Sequence, residues 1–129
     1  MVKVARNKKE REEGISNKHF LSQDRGMLFI FEKPDYYAFT MEGVNFPLDF
    51  IWIKENEIIE ITENVIPTRD RSPEPIKPHR KIDKTLEVNA GFVKRYNIKV
   101  GDKIKLQNDF TDLIKFLRYF FERLKNFFS

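Results

Sequence analysis

The chain contains no cysteine, only two histidines and one tryptophan, and five scattered glycines in 129 residues. Without cysteine there are no disulfides, no thiolate metal sites and no thiol nucleophile. The compartment stays open, because an exported domain can lack cysteine too. His19 and His79 stand in no His-x-x-x-His or Glu-x-x-His spacing, so no zinc or other metal site is expected. The glycines form no phosphate-cradling loop, and Ser16, Ser22 and Ser72 lack the glycines of a nucleophile elbow. No cofactor is expected. No apolar run reaches the length of a transmembrane helix. The first ten residues have no apolar core of the kind a signal peptide needs. The expected location is cytoplasmic by default, or extracytoplasmic if an upstream segment has been removed. Charge of one sign is also scarce: 24 basic against 20 acidic residues give +4. Dedicated nucleic-acid binders concentrate basic charge more strongly, so no specific nucleic-acid partner is expected.

What the chain does have is apolar mass. Hydrophobic residues make up 40% and aromatics 14%, with 13 phenylalanines. That is enough for a packed core and too much for a disordered chain, at a length that suits one domain. Residues 2–5 read as a short strand. Asn7 and Glu10 form a capping box for a helix ending at Gly14. Residues 16–25 are polar and read as a turn. Residues 26–31 (GMLFIF) read as a buried strand, and the aromatic-rich residues 36–41 as the next. Residues 48–54 (LDFIWIK) and 57–63 (EIIEITE) flank Glu55-Asn56 as a hairpin, with Ile59 and Ile61 on one face of its second arm. Residues 65–84 form a proline-rich basic loop carrying Pro67, Pro73, Pro75, Pro78, Arg69, Arg71, Lys77, Arg80, Lys81 and Lys84. Residues 85–88 read as a strand. Asn89 is positioned to cap a helix over 90–96, which Asn97 ends in the left-handed conformation. Gly101-Asp102 makes a turn into a final strand.

The clearest periodicity lies in residues 109–129. Phe110, Leu117 and Leu124 recur every seven residues, as do Leu113, Phe120 and Phe127, and Ile114, Phe121 and Phe128. They line one broad face of a helix roughly 30 Å long. That face is expected to dock on its own domain. Self-association and membrane-surface contact are its alternatives.

Five segments occur in an order that carries a resemblance: 26–31 (GMLFIF), 39–44 (FTMEGV), 47–53 (PLDFIWI), 86–91 (LEVNAG) and 98–102 (IKVGD). Glu10-Arg11-Glu12-Glu13-Gly14 precedes them. This pattern, over about residues 2–106, resembles the uncharacterised family catalogued as domain of unknown function number 192. The chain departs from that pattern in two places. Gly14-Ile15-Ser16 stands for the usual Gly-Leu-Met, and Phe39-Thr40-Met41-Glu42-Gly43-Val44 for Phe-Trp-Met-Lys-Asn-Thr. The resemblance implies a compact, β-rich, barrel-like domain and no reaction. The Val-Gly-Asp-Lys-Ile turn is similar to the glycine–aspartate turn of small cradle-like β-barrels, a likeness of fold alone.

Two acids stand inside apolar strands. Asp49 follows Pro47-Leu48. Its plain role is to accept backbone N–H bonds and fix a turn, and its sharper role is that of a buried general base. Glu87 lies between Leu86 and Val88, and a strand-edge position facing solvent is the plain expectation. The fold class expected is α+β: a β-rich barrel-like domain with short helices over 1–107, plus an amphipathic helix over 108–129. The function expected is a non-catalytic binding or interaction module with Met41, Glu42, Asp49, Asn64 and Glu87 at a pocket rim. One alternative is an acid–base enzyme using Asp49 or Glu87. The other is a nucleic-acid-associated domain using the basic loop over 67–84.

Overall fold

The computed structural model describes residues 2–5, 26–67 and 74–105. They form a five-stranded sheet in the order β1-β2-β5-β3-β4. The strands are β1 (Val2–Ala5), β2 (Gly26–Asp35), β3 (Leu48–Lys54), β4 (Glu57–Val65) and β5 (Ile82–Asn89), followed by the helix α1 (Phe92–Arg95). β1 runs parallel to β2, and the other pairs are antiparallel. The β-rich α+β character stands. Among the described residues the sheet is open, with β1 and β4 at its edges, and no barrel closes. The short helix expected after Asn7, the turn over 16–25, Arg69 and Arg71, and the amphipathic helix over 108–129 lie outside the described residues.

The hairpin β3–β4 forms as its pattern predicts. Glu55 and Asn56 both take positive φ, 49° and 63°. A two-residue loop of that form matches the twist of its strands. The second arm departs from simple alternation. Ile53 faces Ile58, but Trp52 faces Glu60, so Ile59 is an extra residue. This β-bulge shifts the phase. Ile61 packs with Ile58 on one side of the sheet, and Ile59 is sent to the other.

Each face of the sheet has its own core. On the first, Leu28, Ile51, Ile53, Ile58, Leu86 and Val88 pack under Phe92 and Val93 of α1 and under Ile98 and Ile104. On the second, Met27, Phe29, Leu48, Phe50 and Trp52 pack under Met41 and Val44. Phe39 joins that second core edge-on to Phe29, Phe50 and Trp52. β5 and β3 are therefore buried on both sides.

Three elements differ from the sequence pattern. Residues 36–41 are not a strand. Phe39 alone bridges Ile76, with N–H to O distances of 2.8 and 2.7 Å, and pins this segment to the proline-rich one. That loop is shorter than expected, because β5 begins at Ile82 rather than Thr85. After the Gly101-Asp102 turn no strand forms among the described residues. Lys103 makes one bridge to Glu57, and the Ile104 N–H donates to the Asn56 carbonyl at 2.7 Å. Asn97 does take the left-handed conformation, φ 50°.

Candidate functional site

Asp49 is wholly buried on β3. One carboxyl oxygen accepts the Asn64 N–H at 2.8 Å. The other accepts the N–H groups of Gly91 and Val93, each at 3.1 Å. Those last two open α1, where the first turn has no donors' partners of its own. Asp49 therefore supplies from β3 the cap that Asn89 is expected to give, and Gly91, at φ 95°, holds the N-cap position. The Asn64 bond depends on a second bulge. Leu48 faces Val65 while Phe50 faces Thr62, and Asn64 sits in that irregularity at φ 54°. Asparagine tolerates that conformation, which turns its N–H onto Asp49. This is the plain role expected of Asp49: an acceptor that fixes local backbone.

Glu87 is differently placed. β5 is hydrogen-bonded on both sides, to β2 and to β3, so Glu87 is not at an edge and does not face solvent. Only 4% of it is exposed. In register it stands between Met27 and Phe50, both members of the aromatic-rich core. Burial alone pushes its carboxyl up to about 8, so it keeps its proton at neutral pH. Two residues earlier on the same face is Thr85, between Phe29 and Trp52, fully buried and with no partner for its hydroxyl. The nearby indole meets its own need elsewhere, with Trp52 Nε1–H donating to Thr62 Oγ1 at 2.9 Å.

Asp49 faces Val88 and its neighbour Phe50 faces Glu87. Successive side chains on a strand point to opposite faces, so the two acids lie on opposite sides of the sheet. The structure does not bring them together. Of the other expected rim residues, Met41 is buried in the same core as Phe50. Glu42 follows it in an exposed turn, its N–H bonded to Thr40 Oγ1 at 3.0 Å. Asn64 belongs with Asp49. The sequence pattern does not single out Thr85. The signal for it is present, since Thr85 and Glu87 are the polar positions of an otherwise apolar strand. Reading them as buried requires knowing that β5 is central.

Elsewhere, His79 pairs with Glu60 at 2.9 Å at the exposed surface. Among the described residues no cluster of three His, Asp or Glu could hold a metal. No described helix is long and apolar enough to cross a membrane. An open depression of about 380 Å³ is lined by Phe31, Glu32, Lys33 and Tyr37.

The open sheet with a short helix on one face is a fold that this chain shares with solved structures. The chain belongs to the DUF192 family, described as Uncharacterized ACR, whose pattern it matches over residues 1–106. The chain is similar to a protein from Sinorhizobium meliloti 1021 provisionally described as a transcription regulator. That crystal structure is 31% identical, with a TM-score of 0.71 over 79% of this chain and 78% of the other. It is also similar to a protein of unknown function from Novosphingobium aromaticivorans DSM 12444, 29% identical with a TM-score of 0.71, over 79% and 71% of the two chains. No curated protein matches the chain.

Proposed function

We propose that this protein is a small binding module whose recognition surface lies on the Glu87 face of the sheet. The observation that carries this reading is the separation of the two buried acids. Asp49 has both oxygens committed to backbone donors. To take a proton from a substrate it would have to release the N-terminus of α1. On the Glu87 face, the Thr85 hydroxyl is buried and has no hydrogen-bond partner among the described residues. Buried polar groups are nearly always partnered, so a free one marks a place where a partner binds. Met41 shares this face, and Glu42 lies at its solvent margin. Asn64 and Asp49 serve the opposite face. This role needs no closed barrel. It takes residues 1–107 as the binding domain and 108–129, on its heptad pattern, as a helix appended to it.

A screen of small fragments against the full chain by amide NMR tests the proposal. Binders are expected to shift resonances of Met27, Phe50, Thr85 and Glu87 and to leave those of Gly91 and Val93 in place. Binders that map instead around Asp49 and α1 would overturn it, and so would turnover of a bound compound.

The Sinorhizobium relative's description favours one second reading, contact with nucleic acid through the basic loop. Lys77, Arg80 and Lys81 are exposed there. Binding of that kind weakens steeply with salt. The expectation is no specific binding to short DNA or RNA at physiological salt, and a fluorescence-anisotropy titration reaching micromolar affinity would restore this reading.

A further inference from the structure

From the one-sided charge of the layer that covers the first face of the sheet, we infer that α1 and the turn over 97–105 form a docking surface for an anionic membrane. This surface lies on the far side of the sheet from Glu87, so it stands or falls apart from the binding-module reading. Residues 94–105 carry five basic residues, Lys94, Arg95, Lys99, Lys103 and Lys105, against one acid, Asp102. All five are exposed. Residues 26–67 carry the opposite excess, two basic against eight acidic. The small net charge of the chain thus hides a concentrated basic patch, and charge separated in this way orients a molecule toward a negative surface.

Packing produces the patch. Phe92, Val93, Ile98 and Ile104 turn inward onto the sheet, and the basic residues among them are left facing out. The layer is tied to the hairpin. Gly101 N–H donates to the Ile58 carbonyl and Ile104 N–H to the Asn56 carbonyl, each at 2.7 Å. The nearby acids are engaged within the layer or at its margin. Asp102 accepts the Lys99 N–H at 2.7 Å, and Glu57 pairs with Lys103 at 3.4 Å. Val100 decides between anionic partners. It is 59% exposed at the tip of the turn, directly after Lys99. An apolar side chain flanked by lysines suits the headgroup boundary of a bilayer, where it enters while the ammonium groups stay at the phosphates. A nucleic-acid backbone offers Val100 nothing, and single strands are held by exposed rings on which bases stack. The ring in this layer nearest the tip, Tyr96, is half-buried, tilted against Phe92 and lying under Arg95.

Co-sedimentation of the full chain with two kinds of vesicle tests this: phosphatidylcholine alone, and phosphatidylcholine with about one part in four phosphatidylserine. Binding is expected to the serine-containing vesicles only. Each basic residue near such a surface is worth about fivefold in partition, so Lys94→Glu, Lys99→Glu and Lys105→Glu together should lower it by about a hundredfold or more. Val100→Ser should lower it by about threefold or more, through the apolar contact alone. All four positions are exposed, and circular dichroism checks that the variants fold. A salt series on the wild-type chain reads the same attraction without a variant, with release expected between about 0.1 and 0.5 M. Equal binding to both vesicles, or none to either, would overturn the inference. So would binding that survives the charge reversals and is lost on deleting 109–129, which would assign it to that segment. A patch-dependent affinity for duplex DNA exceeding that for the vesicles would make the surface a nucleic-acid contact and overturn the membrane class.

Discussion

Asp49 and Glu87 stand one register step apart on neighbouring strands, and their environments give them different tasks. Asp49 accepts three backbone N–H groups, and bonds to a carboxylate are worth about 1.5–3 kcal/mol each when partners are buried. Asp49→Asn puts an amide NH₂ against one of those donors. Its expected cost is about 2–4 kcal/mol in a urea unfolding curve, and a loss under about 0.5 kcal/mol would show that the cap is dispensable. Glu87 has the opposite linkage. Its folded carboxyl lies near 8 against an ordinary 4.5. Between those values the folded chain holds a proton that the unfolded chain has released. Stability therefore falls as pH rises across that window, by at most about 1.4 kcal/mol per pH unit, and levels off above it. Glu87→Gln should flatten the curve. An identical slope in that variant would place its origin in another group. The acceptor role of Asp49 is legible in the sequence, because an acid just after Pro47-Leu48 in an apolar strand needs nearby donors. The burial of Glu87 is not legible. Thr-Leu-Glu-Val alternates as a half-wet strand does, and nothing local tells a central strand from an edge.

At the scale of elements, the strands of the hairpin and the central strand follow their residue patterns closely, and bulges account for where they do not. The alternation of Ile59 and Ile61 suggests one shared face, but the extra residue at Ile59 separates them. The aromatic run over 36–41 reads as a strand because β propensity largely reports burial, but Phe39 is held over the sheet by its bridge to Ile76 instead, and Tyr36 is exposed. Phe29, Phe50, Trp52, Val88 and Ile104 are buried, while Phe31, Ile59 and Ile61 are partly so. Gly26 shows what fixes the β2–β5 register. A Cβ there would come within 2.8 Å of the Glu87 carbonyl oxygen and 2.9 Å of a Val88 methyl. Gly26→Ala should thus push the strands apart and cost roughly 1–3 kcal/mol by chemical denaturation. An alanine variant as stable as the wild type would mean that β2 has room to shift. Phe29→Ala, which empties a packed site on the same strand, should cost about 3–5 kcal/mol.

For the molecule as a whole, the sheet separates a structural face, closed by α1 and its Asp49 cap, from an aromatic face that holds Thr85 and Glu87. The family and the β-rich class are legible from the ordered segments between Gly26 and Asp102, whereas the open sheet order depends on long-range pairing that no local pattern encodes. The heptad face of 109–129 carries its own expectation. It is too apolar to remain in water, since burying each large side chain is worth about 1.5–3 kcal/mol. If it docks on its own domain, the full chain sediments as a monomer and deleting 109–129 leaves a less stable, aggregation-prone domain. A dimeric full chain whose truncation is an equally stable monomer would instead establish self-association. The division of labour between the two faces rests most heavily on Glu87 remaining a protonated acid inside the fold. A ¹³C NMR titration of its side-chain carboxyl in the intact protein measures that directly. A single transition near pH 8 is expected, and a Glu87 carboxyl that titrates in the ordinary range near 4.5 would contradict that division.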